Sequence, residues 1–388
     1  MSVIPSAVGI RKEKTSPKVI GSPGYIQDLI DNASDGDTIY IPSGTYYENI
    51  TIDKSISLVG EDKDTTIIDS NWSEYVIYVS ADNVNISGFT IRKGWYGIDI
   101  HTNYNTITGN NIRWNYEGGI RINYSSGNTI SKNNITNNMD GIGLYYSSNN
   151  TITNNNISLN SEWIAGCGIL LSKSDNNTIK ENNVMFNRNG LLIYDSSNNT
   201  ISRNNITKNG YEDNWGGSGI YFYSSDSNTL NGNNITSNIY VGLSLLESSN
   251  NTMKNNILQY NSLGILLRGV AEINIISDNT ILNNLGGIAL FSASHNMIRH
   301  NNIMKNDEGI HIDWLKNEFM YPAILNVIIK NNFINNKLSA SFEFGLLNSW
   351  FRNYWDRPRL LPKPIFGSVV DIPWINFDLR PALKPYDI

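Results

Sequence analysis

Two short stretches of the 388-residue sequence place a carboxylate and an imidazole two positions apart: Asp99-Ile100-His101 and His311-Ile312-Asp313. On an extended strand, positions i and i+2 share a face, so each pair stands side by side. A carboxylate beside an imidazole can move protons, with the imidazole as base or acid and its neighbour holding it. The first pair has the richer company: Tyr96 before it, then Arg121 and Tyr145 at later positions of the same spacing. Asp, His, Arg and Tyr together suit removal of a proton next to a sugar carboxylate. The His or Tyr serves as base or acid, and the cation neutralises the acidic substrate. His311 and Asp313 are the secondary candidate; they precede the longest insertion, 314–325, and could equally anchor it.

Other chemistries find little support. Calcium-dependent elimination needs several clustered acids as hard-cation ligands. Hydrolysis of the polygalacturonase type needs two carboxylates a few ångströms apart. The outward positions that carry Asp99 and Asp313 supply neither, so no metal and no cofactor is expected. A lone Cys167 cannot form an internal disulfide. With 29 Lys+Arg against 35 Asp+Glu the net charge is −6, which argues against a nucleic-acid partner. No 18-residue apolar run occurs, so no membrane span is expected.

What could position these residues is a repeat. The phrase N-T-I-x-x-N-N-I-x-x-N, then G-I-x-L, then S-S recurs, and a Gly-aliphatic pair starts at Gly97, Gly119, Gly141, Gly168, Gly190, Gly219, Gly242, Gly264, Gly287 and Gly309. Most steps are 22 or 23 residues, and a second apolar series from Ile107 to Ile328 keeps nearly the same register. Its one blemish is Met253 to Ile257, which reads as one residue short of the period. Each unit alternates like a strand: Ile120 and Ile122 point one way, Arg121 and Asn123 the other. Four buried aliphatics give roughly 6–12 kcal/mol per unit. Ordering about 22 residues costs on the order of 1–2 kcal/mol each. One unit therefore cannot stand alone, and stacked units make a solenoid.

Asparagine supplies 61 residues. It disfavours helix interiors and tolerates left-handed bends. One register carries Asn110, Asn133, Asn155, Asn182, Asn204, Asn233, Asn255, Asn279, Asn301 and Asn331, which predicts a hydrogen-bonded amide ladder. A serine column (Ser125, Ser147, Ser174, Ser196, Ser224, Ser248, Ser292) marks another bend.

On these motifs the sequence resembles the pectin-lyase-like right-handed parallel β-helix proteins. More narrowly, it is similar to the NosD-like, carbohydrate-binding-and-sugar-hydrolase repeat proteins of archaeal and bacterial surfaces. The resemblance covers 24–388. Ile26 to Ile30 resembles the family's capping helix, and Asn353-Tyr354-Trp355-Asp356 with Asn376-Phe377-Asp378 resembles its C-terminal cap. The expectation is an all-β, single-stranded right-handed parallel β-helix of about twelve or thirteen coils. Residues 1–23 would be a leader, possibly the remnant of a signal peptide, 24–345 the solenoid and 346–388 an irregular cap. Tyr96-Gly97-Ile98-Asp99-Ile100-His101 also resembles the catalytic motif of the mannuronan epimerase branch, where Tyr, Asp and His at these positions act in C5-proton exchange. That branch has Pro where this chain has Ile100 and Glu where it has Thr102, and its further carboxylate falls near Arg121. The NosD name implies copper, to which four His, seven Met and one Cys in no compact spacing lend little.

Trp95, Trp114, Trp163 and Trp215 fall in equivalent loops among Asn, Gly, Glu and Asp, joined by Tyr116, Tyr211 and Tyr240. With Tyr194, Tyr221 and Tyr223 they would form stacking platforms for sugar rings. The sequence thus reads as a secreted or cell-surface β-helix binding an extended polysaccharide along one face, with lyase- or C5-epimerase-type chemistry on uronates at Tyr96, Asp99, His101, Arg121 and Tyr145. The competing reading is a non-catalytic structural or adhesive protein. Leu170, Leu192, Leu246 and Leu266 in the outward column favour it and would suit contacts with other surface proteins.

Overall fold

A computed structural model describes residues 24–160, 166–211, 217–314, 322–345, 347–369 and 372–388. Candidates Trp163 and Trp215 and the proposed leader lie outside the described residues. A single helix, Tyr25–Asp31, opens the fold and buries Ile26 and Ile30 on the first coil. The Glu48 carboxylate accepts from the backbone N–H groups of Ile26 and Gln27 at 3.0 and 3.2 Å, satisfying two free donors of the helix start.

The rest is a parallel β-solenoid of about 14 turns with coils of about 23 residues. The repeat phrase alone led to twelve or thirteen. The terminal strands Ile50–Ile52 and Lys363–Val369 join the same sheet without carrying the phrase. Each regular coil holds three strands, for example Gly118–Asn123, Thr129–Ser131 and Asn134–Thr136. Each pairs in register with its equivalent one coil on: Ile120 with Ile142, Ile130 with Ile152, Ile135 with Ile157. The four inward positions, Ile120, Ile122, Ile130 and Ile135 in this coil, form one continuous buried core along the axis. A Cβ on Gly119 would lie 2.7 Å from both the Gly141 carbonyl oxygen and Ile135 Cγ2, so the next coil can approach this closely only over glycine.

The bends explain the asparagine excess. Three bends of a coil are each one left-handed residue followed by a buried Asn: Lys132 (φ 55°) then Asn133, Asn137 (φ 55°) then Asn138, Asn149 (φ 59°) then Asn150. Asn133 Oδ1 accepts from the Asn110 backbone N–H and from Asn110 Nδ2, while Asn133 Nδ2 donates to the Ile107 carbonyl at 2.9 Å and to Asn155 Oδ1. Three such ladders run along the solenoid from Asn105, Asn110 and Asn115 onward, the other two through Asn128–Asn150 and Asn138–Asn160. The sequence reading found one of them, and three of its column assignments slip by one residue. Asn256, not Asn255, accepts from Asn233 and donates to Asn279. No residue is missing there: Ile257 takes the outward place of Asn234, and Leu258 pairs with Ile235 inside. Likewise Ser225, not Ser224, continues the serine column between Ser196 and Ser248, because the count from Gly219 matches that from Gly119. Ser292 stands one place before the buried column position, which Ala293 fills.

At the C-terminal end the middle ladder finishes on an acid. Asp378 is fully buried and accepts from the backbone N–H of Arg352, Asn353 and Arg380, from Asn353 Nδ2 and from Trp355 Nε1. It supplies the acceptors a further coil would have offered. The cap itself is built on an antiparallel hairpin, Lys363–Val369 with Ile372–Asp378.

Candidate functional site

The longest strand of each coil turns alternate residues outward. On four successive coils Tyr78, Asp99, Arg121 and Gly143 stand in one register. Parallel in-register pairing therefore brings Arg121 onto Asp99, although 22 residues separate them. The guanidinium grips the carboxylate with two bonds, Nε to Oδ1 at 2.7 Å and Nη2 to Oδ2 at 2.6 Å. His101 Nε2 lies 3.2 Å from Asp99 Oδ2. The Arg121 guanidinium also lies over the Tyr96 ring, 3.8 Å from its centroid. On the other side Tyr78 packs its ring on His101 at 5.3 Å. Asp99 is thus buried. Its hydrogen bonds to Arg121 hold that guanidinium charged, well above the ordinary arginine value.

Beside this pair lies a small pit of about 60 Å³, lined by Tyr96, Glu117, Gly118, Arg121, Asp140, Gly143 and Tyr145 among others. Gly143 makes room: a Cβ there would sit 2.8 Å from Tyr145 Cε2, so the phenol lies back across it. Burial pushes the Tyr145 and Tyr96 hydroxyls up. Burial also pushes Asp140 up to about 6, helped by Glu117 and opposed by the hydrogen bond from the Cys167 backbone N–H. The Cys167 thiol is buried and driven upward by the same desolvation, with Asp140 adding to it. Asp140 and Glu117 escaped the sequence reading, which scanned positions two and four after each glycine. Asp140 is the residue before Gly141, in register with Gly118.

Of the five catalytic candidates, Tyr96, Asp99, His101 and Arg121 touch one another, and Tyr145 faces Tyr96 and Arg121 across the pit. Exposed aromatics flank them. Trp95 stands 6.2 Å from Tyr116, and Arg113 lies over Trp114 at 4.4 Å. Further along, Tyr194 and Tyr223 stack at 5.3 Å and 10°, while Tyr221 is half-buried. A second stacked pair, Tyr124 with Tyr146, was not foreseen.

His311 and Asp313 lie nine coils away, about 43 Å at roughly 4.8 Å per coil. The structure gives His311 other company than Asp313. Its Nδ1 is 2.7 Å from Ser341 Oγ and 3.4 Å from Glu308 Oε1, and the Ser341 hydroxyl donates to Glu308. Asp313 instead accepts from the Trp314 backbone N–H at 2.6 Å. Burial alone would lower the imidazole pKa, but the Glu308 hydrogen bond and charge outweigh it and raise it.

Comparison with known proteins fixes the class and handedness. A family model described as a right handed beta helix region matches residues 75–212, and one described as periplasmic copper-binding protein (NosD) matches 212–360. The A-module of the Azotobacter vinelandii mannuronan C-5 epimerase AlgE4 superposes with a TM-score of 0.58 at 15% identity, covering 83% of this chain and 92% of that one. The Dettilon tailspike protein gives 0.58 at 17% identity, over 79% of this chain and 61% of that one. The fold is therefore that of a right-handed parallel β-helix. Over its C-terminal half the chain is similar to the NosD family. A cell surface glycoprotein of Methanothermus fervidus is 36% identical over 129 residues, which span 31% of this chain and 21% of that much longer relative.

Copper, which the NosD description implies, does not fit the donors present. Among the described residues no three His, Cys, Asp or Glu side chains come together as a metal-binding group. The one thiol is buried beside Asp140, and His101 and His311 are engaged with Asp99 and with Ser341. No helix among the described residues is long and apolar enough to cross a membrane.

Proposed function

We propose that this chain is a secreted or cell-surface β-helix protein that binds an extended polysaccharide along the outward face of its long-strand sheet. The observation that carries the reading is the group on coils Tyr75 to Tyr145. There a buried, Arg-gripped carboxylate and an imidazole stand beside a pit lined by Arg121 and two phenols, with exposed Trp95, Trp114 and Tyr116 nearby. Aromatic faces beside a polar recess suit a sugar ring, whose C–H face stacks while its hydroxyls find hydrogen bonds. The names of the similar structures, a mannuronan epimerase and a tailspike, and of the surface glycoprotein relative support glycan contact and an external location.

Within that reading the chemistry is proton exchange or elimination at a uronate C5. His101 takes the proton, a phenol returns one, and Arg121 balances charge through Asp99. A second reading, binding without turnover, is favoured by one specific feature. The Arg121 fork is spent on Asp99, leaving less of it for a substrate carboxylate.

The test is incubation of the full chain with a panel of uronate and neutral polysaccharides, following retention, unsaturated product and solvent-proton exchange. The expected result is retention that falls at least tenfold in Trp95→Ala, and in Trp163→Ala with Trp215→Ala. Turnover should be lost in His101→Ala while retention persists. Retention with no turnover on any uronate leaves the binding module alone. No retention on any glycan sinks both and returns the chain to a structural or adhesive role.

A further inference from the structure

The C-terminal cap carries a surface that the glycan reading does not use. Its hairpin register sets Phe366 opposite Ile375 and Pro364 opposite Phe377. Ile365 and Asp378 on the other face are buried against the solenoid, so strand alternation turns Phe366, Ile375 and Phe377 outward. Just before the hairpin, Leu360 and Leu361 are 90% and 78% exposed. Isolated exposed apolar residues are ordinary, but several adjoining ones mark a contact surface.

The same segment is basic. Residues 346–388 hold six Lys or Arg against four Asp on a chain of net charge −6, and one of those acids, Asp378, is sealed inside the cap. Arg357, Arg359 and Lys363 form no ion pair among the described residues. Arg359 Nε is shut off from solvent with no hydrogen-bond partner. Burial, then Arg359 and Arg357, push the Lys363 ammonium below its ordinary pKa despite Asp356, so the three cations lie close enough to repel one another.

We infer that the C-terminal cap docks on the surface of a lipid bilayer bearing anionic headgroups, with Phe366, Ile375, Phe377, Leu360 and Leu361 entering the interface and Arg357, Arg359 and Lys363 meeting the headgroups. Charge complementarity selects the partner's sign. The shape of the patch selects a fluid: leucines exposed to 78% and 90% stand proud of the surface. Such side chains find their burial in a medium that closes around them, and the cations keep their heads at the polar boundary. The docked solenoid would carry its outward face away from the membrane, and the inference holds whether or not that face binds glycan.

The experiment is flotation of the full chain with phosphatidylcholine vesicles, with and without phosphatidylglycerol. The chain should float with the anionic vesicles, stay behind with the neutral ones, and detach as salt rises. Each of Arg357→Gln, Arg359→Gln and Lys363→Gln should weaken binding about fivefold. Phe366→Ser with Phe377→Ser should abolish it without altering circular dichroism, since both side chains are exposed. Failure to float with anionic vesicles overturns the inference, as does flotation unaffected by these variants. So does a concentration-dependent dimer that the Phe366→Ser, Phe377→Ser chain no longer forms, which would assign the face to a second copy.

Discussion

Asn182 and Asp99 are both buried polar side chains on one scaffold, and they are satisfied in opposite ways. Asn182 is held by copies of itself: Asn155 donates to it from below, it donates to Asn204 above, and its Nδ2 also reaches the Ile152 carbonyl. The arrangement repeats on every coil, so each amide both gives and receives. Asp99 is held by unlike residues, Arg121 and His101, that occur together on these coils alone. A buried polar group that the repeat itself satisfies adds stability and no chemistry. One satisfied by departures from the repeat leaves polar atoms and cavities beside it, and Asp140 in the pit is the outcome.

Substitutions should separate the two kinds of site. The largest effect is expected for Asn182→Ala, which strands the Asn155 N–H and the Ile152 carbonyl in the core. Stability should fall by about 3 kcal/mol, read by chemical denaturation. A loss under about 1 kcal/mol would mean that neighbouring ladders carry the load. In the pit the sign reverses. Asp140 has its folded pKa raised from 3.8 to about 6, so its protonated form favours folding at low pH and that advantage is lost as pH rises between these values. Asp140→Asn should therefore gain on the parent chain from pH 4 to 6 and level off near 2–3 kcal/mol above it. A difference that does not vary with pH would refute the burial of that carboxyl. The smallest effect belongs to the distant cluster: Glu308→Gln should lower the His311 pKa in an NMR titration. An unmoved His311 would show that Ser341 alone holds it.

The solenoid was legible because its signal is summed over ten coils. Gly97 to Gly309 and the alternating aliphatics each predict the same strand, and one coil's accident cannot hide nine repetitions. Fine register was less legible. Asn255 and Asn256 are adjacent and chemically identical, and only the pairing of Leu258 with Ile235 tells which one enters the ladder. The same holds for Ser224 and Ser225. Asp140 was missed for another reason: its meaning comes from Gly118 and Gly143, whose missing side chains open the pit, and an absence of side chain has no motif.

Sequence alone determined the fold class, the outward placement of Asp99, His101 and Arg121, and the nine-coil gap between Asp99 and His311. A fixed strand period and a fixed coil spacing are enough to derive all three. Tertiary structure decided which polar atoms meet. It turned Arg121 back onto Asp99 and Tyr96, gave His311 to Ser341 and Glu308 in place of Asp313, and set Asp140 half-buried in the wall of the pit. Those outcomes depend on side-chain rotamers and local burial, set by neighbours one coil above and below that lie 22 or more residues away in the chain.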